Sequence, residues 1–193
     1  MGQQRCEWVT NDPLSIRYHD EEWGNLDHFR NDIYLFEMLT LEGAQAGLSW
    51  MTILKKRDNY RKAFCGFDIE KVAAFTEADV EQLKQNEGII RNQRKIKSTI
   101  TNARAVLEMQ RIYGSFHAYL WGFIDGEPIV NQWTSHEEVP ASTSLSKDLS
   151  KALKKQGFSF VGPVICYSFL QATGLIQDHT TNCFLVTEGR ESP

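Results

Sequence analysis

No stretch of this 193-residue chain is apolar for the ~18–20 residues that a membrane-crossing helix needs, so a membrane protein of that kind is excluded. The first eleven residues carry no apolar segment of the sort that directs secretion. Cysteine is scarce: Cys6, Cys65, Cys166 and Cys183 are the only four, and no two stand as C-x-x-C. Without an export signal, such thiols are expected to be reduced, and the protein to be intracellular. Alternating apolar and polar positions, the mark of half-buried strands, are nearly missing. An excess of cations is missing too. Lys and Arg number 21 against 25 Asp and Glu, a net charge of −4, which excludes a general polycationic coat but leaves room for a local basic surface.

The remaining pattern is helical, and the expectation is an all-α protein with one domain over 1–193, wide enough for two helical lobes with a pocket between them. Residues 32–46 carry Ile33, Phe36, Leu39 and Ala46 at near-helical spacing. Asp68 and Thr76 suit N-caps, the second with Asp79 as a capping-box partner. Residues 92–113 place Ile96, Ile100, Ala103 and Leu107 on one face, with Gly114 as a stop. Ser115 opens a short helix that ends near Asp125-Gly126. Residues 125–144, with two prolines and many Ser and Thr, read as a surface connection. Helices resume at Leu145, stopping at Gly157, and at Pro163, running to about Gly174.

Cys6 and His19 stand near one end, His179 and Cys183 near the other. The second pair is spaced i, i+4, so one helical turn would set both on one face. Two thiolates and two imidazoles satisfy a tetrahedral zinc ion and would tie the chain ends together without leaving a position for water. On spacing alone a plainer reading stays open: buried histidines with satisfied hydrogen bonds, and cysteines acting as small hydrophobes. Cys65 and Cys166 have no such partners and are expected in the core.

The segment Leu41-Glu42-Gly43-Ala44-Gln45-Ala46-Gly47-Leu48-Ser49-Trp50 puts a carboxylate at the end of an apolar helix, then two glycines, an apolar side chain and an indole. Trp8, Tyr18 and Trp23 gather upstream. An enzyme acting on a nucleobase needs flat faces for stacking, a hydrogen-bonding group for the base edge and a wedge that holds the duplex open. A cationic base adds attraction to the aromatic faces and to a carboxylate. Each piece read singly is also an ordinary core or turn residue. Residues 88–107 contain five cations and no Asp or Glu, and the glycine and proline of Phe160-Val161-Gly162-Pro163 would present backbone N–H groups to a phosphate at a helix start.

Together these residues closely resemble the 3-methyladenine DNA glycosylase I family. The likeness runs almost end to end, through Arg5-Cys6-x-Trp8, Asp12-Pro13-Leu14, Tyr18-His19-Asp20-x-Glu22-Trp23-Gly24, the block from Leu41 to Trp50, Gly88-Ile89-Ile90-Arg91, Ser142-Thr143-Ser144, Phe160-Val161-Gly162, Cys166-Tyr167-Ser168-Phe169 and Asp178-His179. The resemblance implies a helix-hairpin-helix DNA glycosylase fold with one structural zinc held by Cys6, His19, His179 and Cys183. It implies excision of 3-methyladenine from double-stranded DNA, leaving an abasic site and free 3-methyladenine; a monomer is the separate expectation. In that reading Glu42 and Tyr18 bond the base edge, Trp50 and Trp8 stack on it, and Trp23 lines the pocket. Gly47 and Leu48 enter the duplex, and Gly162 faces a phosphate. Glu42 is the candidate catalytic residue, acting by recognition of the charged base rather than by activation of water. No aspartate stands at an identifiable place to activate water, and Val164 occupies a position where relatives often carry a hydroxyl.

Overall fold

The computed structural model describes residues 3–187, and its order begins with α1 (Pro13–Glu21), α2 (Asp32–Gln45) and α3 (Trp50–Ala63). Short helices α4 (Ile69–Ala73) and α5 (Glu77–Leu83) lead into the long α6 (Gln93–Tyr113), followed by α7 (Phe116–Trp121). The chain then runs through α8 (Ser144–Lys155) and α9 (Pro163–Ala172) to α10 (Phe184–Thr187). Two two-residue strands, β1 (Ile129–Val130) and β2 (Ile176–Gln177), pair in parallel and pin the segment after α7 to the segment after α9.

Asp68 and Thr76 cap helices as expected, and a start at Asp12 that the sequence reading did not mark has the same chemistry. Asp12 accepts from the Leu14 N–H at 2.9 Å with Pro13 in the first helical turn, and Asp68 accepts from the Lys71 N–H at 3.1 Å. The Asp79 carboxylate takes the Thr76 N–H at 2.7 Å, closing the box that the sequence indicates. Gly114 and Gly157 end α6 and α8 at positive φ.

α2 departs from the stripe expected of it. Every residue from Tyr34 to Ala44 is buried, whereas Ile33 is exposed. The helix is surrounded by α9, α3, α6 and α7, so it has no solvent face to carry polar side chains. Two carboxylates nevertheless lie on it. Glu37 is paired, accepting from Arg57 and Arg61 at 2.7 Å each. Glu42 is not. On α6 the buried row continues through Val106 and Met109, with Leu107 half-buried beside it.

Three expectations need correction. Residues 179–183 form a turn, with the Cys183 N–H on the Thr180 carbonyl, and not a helical turn. Cys65 is exposed, while Cys166 is buried as expected. Residues 125–144 are more than a connection, because they reach the cavity described next.

Candidate functional site

A cavity of about 200 Å³ opens between the N-terminal arm, the end of α2, the start of α3 and α9. Trp8, Tyr18, Trp23, Glu42 and Trp50, the five residues expected to meet a base, all line it. Each arrives by a different local route. Tyr18 projects from the middle of α1, and Glu42 from the last full turn of α2. Trp50 is the first residue of α3, set by the Ser49 cap, whose hydroxyl accepts from the Thr52 N–H at 3.2 Å. Trp8 sits edge-on to Trp23, with centroids 5.0 Å apart, and Tyr18 is tilted on Trp50 at 5.3 Å. The indole N–H groups of Trp8 and Trp50 are buried without a hydrogen-bond partner among the described residues.

Glu42 is 5% exposed and makes no hydrogen bond or ion pair among the described residues. Burial alone pushes its carboxyl up to about 8, since an ion in such surroundings has lost its water and gained no partner. Burial, and then the nearness of Glu42, also drive the Tyr18 phenol well above its usual range, so it stays a neutral donor. An acid held ready to ionise inside an aromatic enclosure favours a ligand that brings positive charge.

The cavity has lining that the sequence reading missed: Gln45, His136, Val139, Ser168, Gln171 and Asp178. His136 and Val139 come from the segment read as a connector, and nothing local in the sequence marks them. Asp178 is the nearest thing to a water-activating aspartate, but its oxygens are occupied. Asn131 and Trp133 donate to Oδ1 at 2.7 and 2.8 Å, while Gln171, at 2.6 Å, and the Tyr167 hydroxyl donate to Oδ2. A carboxylate accepting four hydrogen bonds is held in place and braces the wall.

Behind the cavity, Cys6, His19, His179 and Cys183 offer ligand atoms that all lie within 4.8 Å of one another, a group able to hold a metal ion. The sulfur of Cys6 is 3.5 Å from His179 Nδ1, and that of Cys183 is 3.5 Å from His19 Nε2 and 3.7 Å from His179 Nδ1. Each imidazole has its other nitrogen engaged. His19 Nδ1 lies 2.7 Å from Asp20, which Arg5 holds in turn, and His179 Nε2 lies 3.2 Å from the Trp23 carbonyl. Those outer contacts orient the nitrogens that face the sulfurs. Gly24 lies against this group at φ +77, where an added Cβ would stand 2.9 Å from His179 Nε2.

Gly47 and Leu48 form an exposed turn between α2 and α3, and Leu48 is 40% exposed. Gly162 caps α9 at the end of the loop that joins it to α8. That loop is fixed from below: the Ser150 hydroxyl donates to the Val161 carbonyl at 2.6 Å, and Asn102 bonds both the N–H and the carbonyl of Ser159. The cationic run of α6 is less available to a phosphate than its sequence suggests. Lys97 pairs with Glu77, Arg104 donates to the carbonyls of Ala73 and Phe75, and Lys95 donates to those of Ala44 and Ala46.

A slot of this lining has the shape and chemistry to take a flat heteroaromatic ring, and an exposed turn beside it would suit a base drawn from a nucleic acid. Comparison with known proteins gives the same class. The family model described as methyladenine glycosylase matches residues 8–186, and the chain belongs to that family. Over 180 residues it is 54% identical to DNA-3-methyladenine glycosylase 1 of Escherichia coli (strain K12), covering 93% of this chain and 95% of that one. A crystal structure of a 3-methyladenine DNA glycosylase I superposes with a TM-score of 0.90 at 55% identity, covering 94% and 98% of the two chains. The enzyme of Staphylococcus aureus, solved for the structural basis of its 3-methyladenine recognition, gives 0.89 at 37% identity, covering 95% of this chain and 96% of that one.

Proposed function

We propose that the protein is a DNA repair glycosylase that excises 3-methyladenine from double-stranded DNA by hydrolysis, leaving an abasic site. The observation that carries this reading is the unpaired, buried Glu42 carboxyl in an aromatic cavity next to an exposed turn. Alkylation at N3 makes adenine cationic, so the base is already a good leaving group and needs little acid assistance. The protein's task is then to lift the base out, select its charge and hold it.

The residues divide that task. Glu42, once ionised by the approaching cation, and the Tyr18 hydroxyl bond the base edge. Trp50 and Trp8 supply stacking faces, and Trp23 closes the slot. Gly47 and Leu48 occupy the gap in the duplex, and the backbone N–H groups after Gly162 meet a phosphate, giving the α8–α9 unit the role of a helix-hairpin-helix. Val164 is exposed and offers no hydroxyl there, so the phosphate contact rests on the backbone. With Asp178 occupied and no lysine on the cavity wall, a water molecule attacks and the strand stays whole.

The same reading assigns one structural zinc ion to Cys6, His19, His179 and Cys183. A tetrahedral zinc with two sulfur and two nitrogen ligands has S···N edges of about 3.6 Å, and the 3.5, 3.5 and 3.7 Å separations fit it. When bound, zinc supplies a cross-link between the chain ends and takes no part in the hydrolysis, because four protein ligands fill its coordination. The continuous cluster of buried apolar residues from Tyr18 to Ile176 favours one domain over 1–193, which the same reading takes to act as a monomer.

The experiment is incubation with methylated duplex DNA followed by chromatography of the released bases. Free 3-methyladenine with abasic, uncut strands is the expected result. Tight binding of methylated DNA without base release would replace the enzyme by a damage sensor.

A further inference from the structure

The turn that carries Leu48 is a type II turn: Ala46 has φ −44 and ψ 114, Gly47 has φ +80, and the Leu48 N–H donates to the Gln45 carbonyl at 2.6 Å. It follows directly on the C-terminus of α2, where carbonyls lack intrahelical donors. Lys95, in the first turn of α6, fills that need from outside. Its ammonium donates to the Ala44 and Ala46 carbonyls, both at 2.8 Å, and so grips the chain on either side of Gln45.

Seven residues further along α6 stands Asn102. Its amide bonds Ser159 twice, donating to the carbonyl at 3.0 Å and accepting from the N–H at 2.8 Å. Seven residues are two helical turns, which bring Lys95 and Asn102 to one face about 10.5 Å apart along the axis. One rigid helix therefore holds the Leu48 turn at one point and the α8–α9 loop at another. Just before the Ala44 carbonyl, α2 passes close to the same loop, for a Cβ added on Gly43 would lie 3.5 Å from the Phe160 carbonyl.

We infer that Lys95 is a positioning residue for duplex engagement, fixing the Leu48 turn to α6, the helix that also holds the phosphate-facing loop through Asn102. The inference rests on the reading that Leu48 enters the duplex. Neither residue itself lines the base cavity, whereas Gln45, whose two neighbours Lys95 holds, does, so the variants are read separately on the free base and on DNA. A lysine that only stabilised the helix end would change the melting temperature and leave the kinetics on DNA alone.

The test compares Lys95→Met, Lys95→Arg and Leu48→Ala in two measurements: affinity for free 3-methyladenine by tryptophan fluorescence, and kcat/KM on methylated duplex DNA. Lys95→Met should bind the free base within about twofold of the parent while kcat/KM falls roughly 10- to 100-fold, the scale of a misplacement near 1 Å. Lys95→Arg should recover most of the loss, and Leu48→Ala should share it. Unimpaired excision by Lys95→Met beside an impaired Leu48→Ala would overturn the positioning role and leave the wedge reading standing. Loss of free-base affinity in step with excision, or loss of the fold by circular dichroism, would make Lys95 a general stability residue and overturn the proposal. Normal excision by Leu48→Ala would overturn the wedge reading and the positioning role together.

Discussion

Tyr18 and His19 are consecutive residues of α1 that face different places: Tyr18 lines the aromatic cavity, and His19 belongs to the Cys and His cluster. The ring of His19 also lies near Trp8 and Trp23, with centroids 5.4 and 6.2 Å apart, and that of His179 packs edge-on against Trp23 at 4.7 Å. The cluster thus stands directly behind two of the cavity's aromatic walls. A zinc ion held there predicts that a strong chelator lowers the melting temperature by roughly 10 °C, corresponding to a few kcal/mol in a chain of this length. Chelation should also weaken binding of free 3-methyladenine. A chelated protein that melts and binds as before would refute the structural role.

Glu42 should cost stability in a pH-dependent way. Its ordinary value is 4.5 and burial raises it to about 8 in the folded chain. Between these values the folded protein holds a proton that the unfolded chain has released, so stability falls as pH rises through that window and levels off above about pH 8. Glu42→Gln lacks this dependence. Its stability should match the parent's near pH 4.5 and exceed it at pH 9 by an amount on the order of a few kcal/mol, read as a higher melting temperature, while excision is lost. Thermal melts across pH check the sign.

Binding a permanently cationic alkylpurine at pH 7 should release close to one proton, because the charge of the ligand lowers the Glu42 pKa through neutral. Calorimetry in buffers of different ionisation enthalpy measures it. An enthalpy independent of buffer would mean that Glu42 stays protonated and donates to the base.

Gly24→Ala should damage the cluster from behind. It introduces a side chain at φ +77 and a carbon 2.9 Å from His179 Nε2, so the imidazole must move and lose the Trp23 carbonyl. Lower metal content by atomic absorption and a lower melting temperature are expected.

Arg57→Ala should be among the more damaging substitutions outside the cavity. Arg57 on α3 holds Glu22 with two 2.7 Å hydrogen bonds and Glu37 with another, joining the elements that bear Tyr18, Glu42 and Trp50. Removing it leaves Glu37 buried with Arg61 as its remaining partner, and Glu22 without its guanidinium. A loss of roughly 3–5 kcal/mol in urea unfolding is expected.

The helices, their caps and the glycine stops are local events, and residues such as Asp68, Thr76, Ser115 and Gly114 announce them within a few positions. The residue types of both sites were legible for a related reason, since Trp, Cys and His are rare and their grouping stands out. What local pattern could not give is convergence. His179 and Cys183 meet Cys6 through a turn that no periodicity marks, and His136 and Val139 reach the cavity because β1 pairs with β2 across the fold. The cations of α6 misled for the same reason, because a lysine's partner 49 residues away is invisible to a charge count.

By itself the sequence determined which segments coil and which side chains are chemically equipped to meet a base, a metal or a phosphate. Only the tertiary structure decided which charges find partners. Two glutamates on one buried helix differ because α3 supplies arginines to Glu37 and nothing to Glu42. Removal from water raises the pKa of the unpaired one, and that difference depends on neighbours distant in the chain.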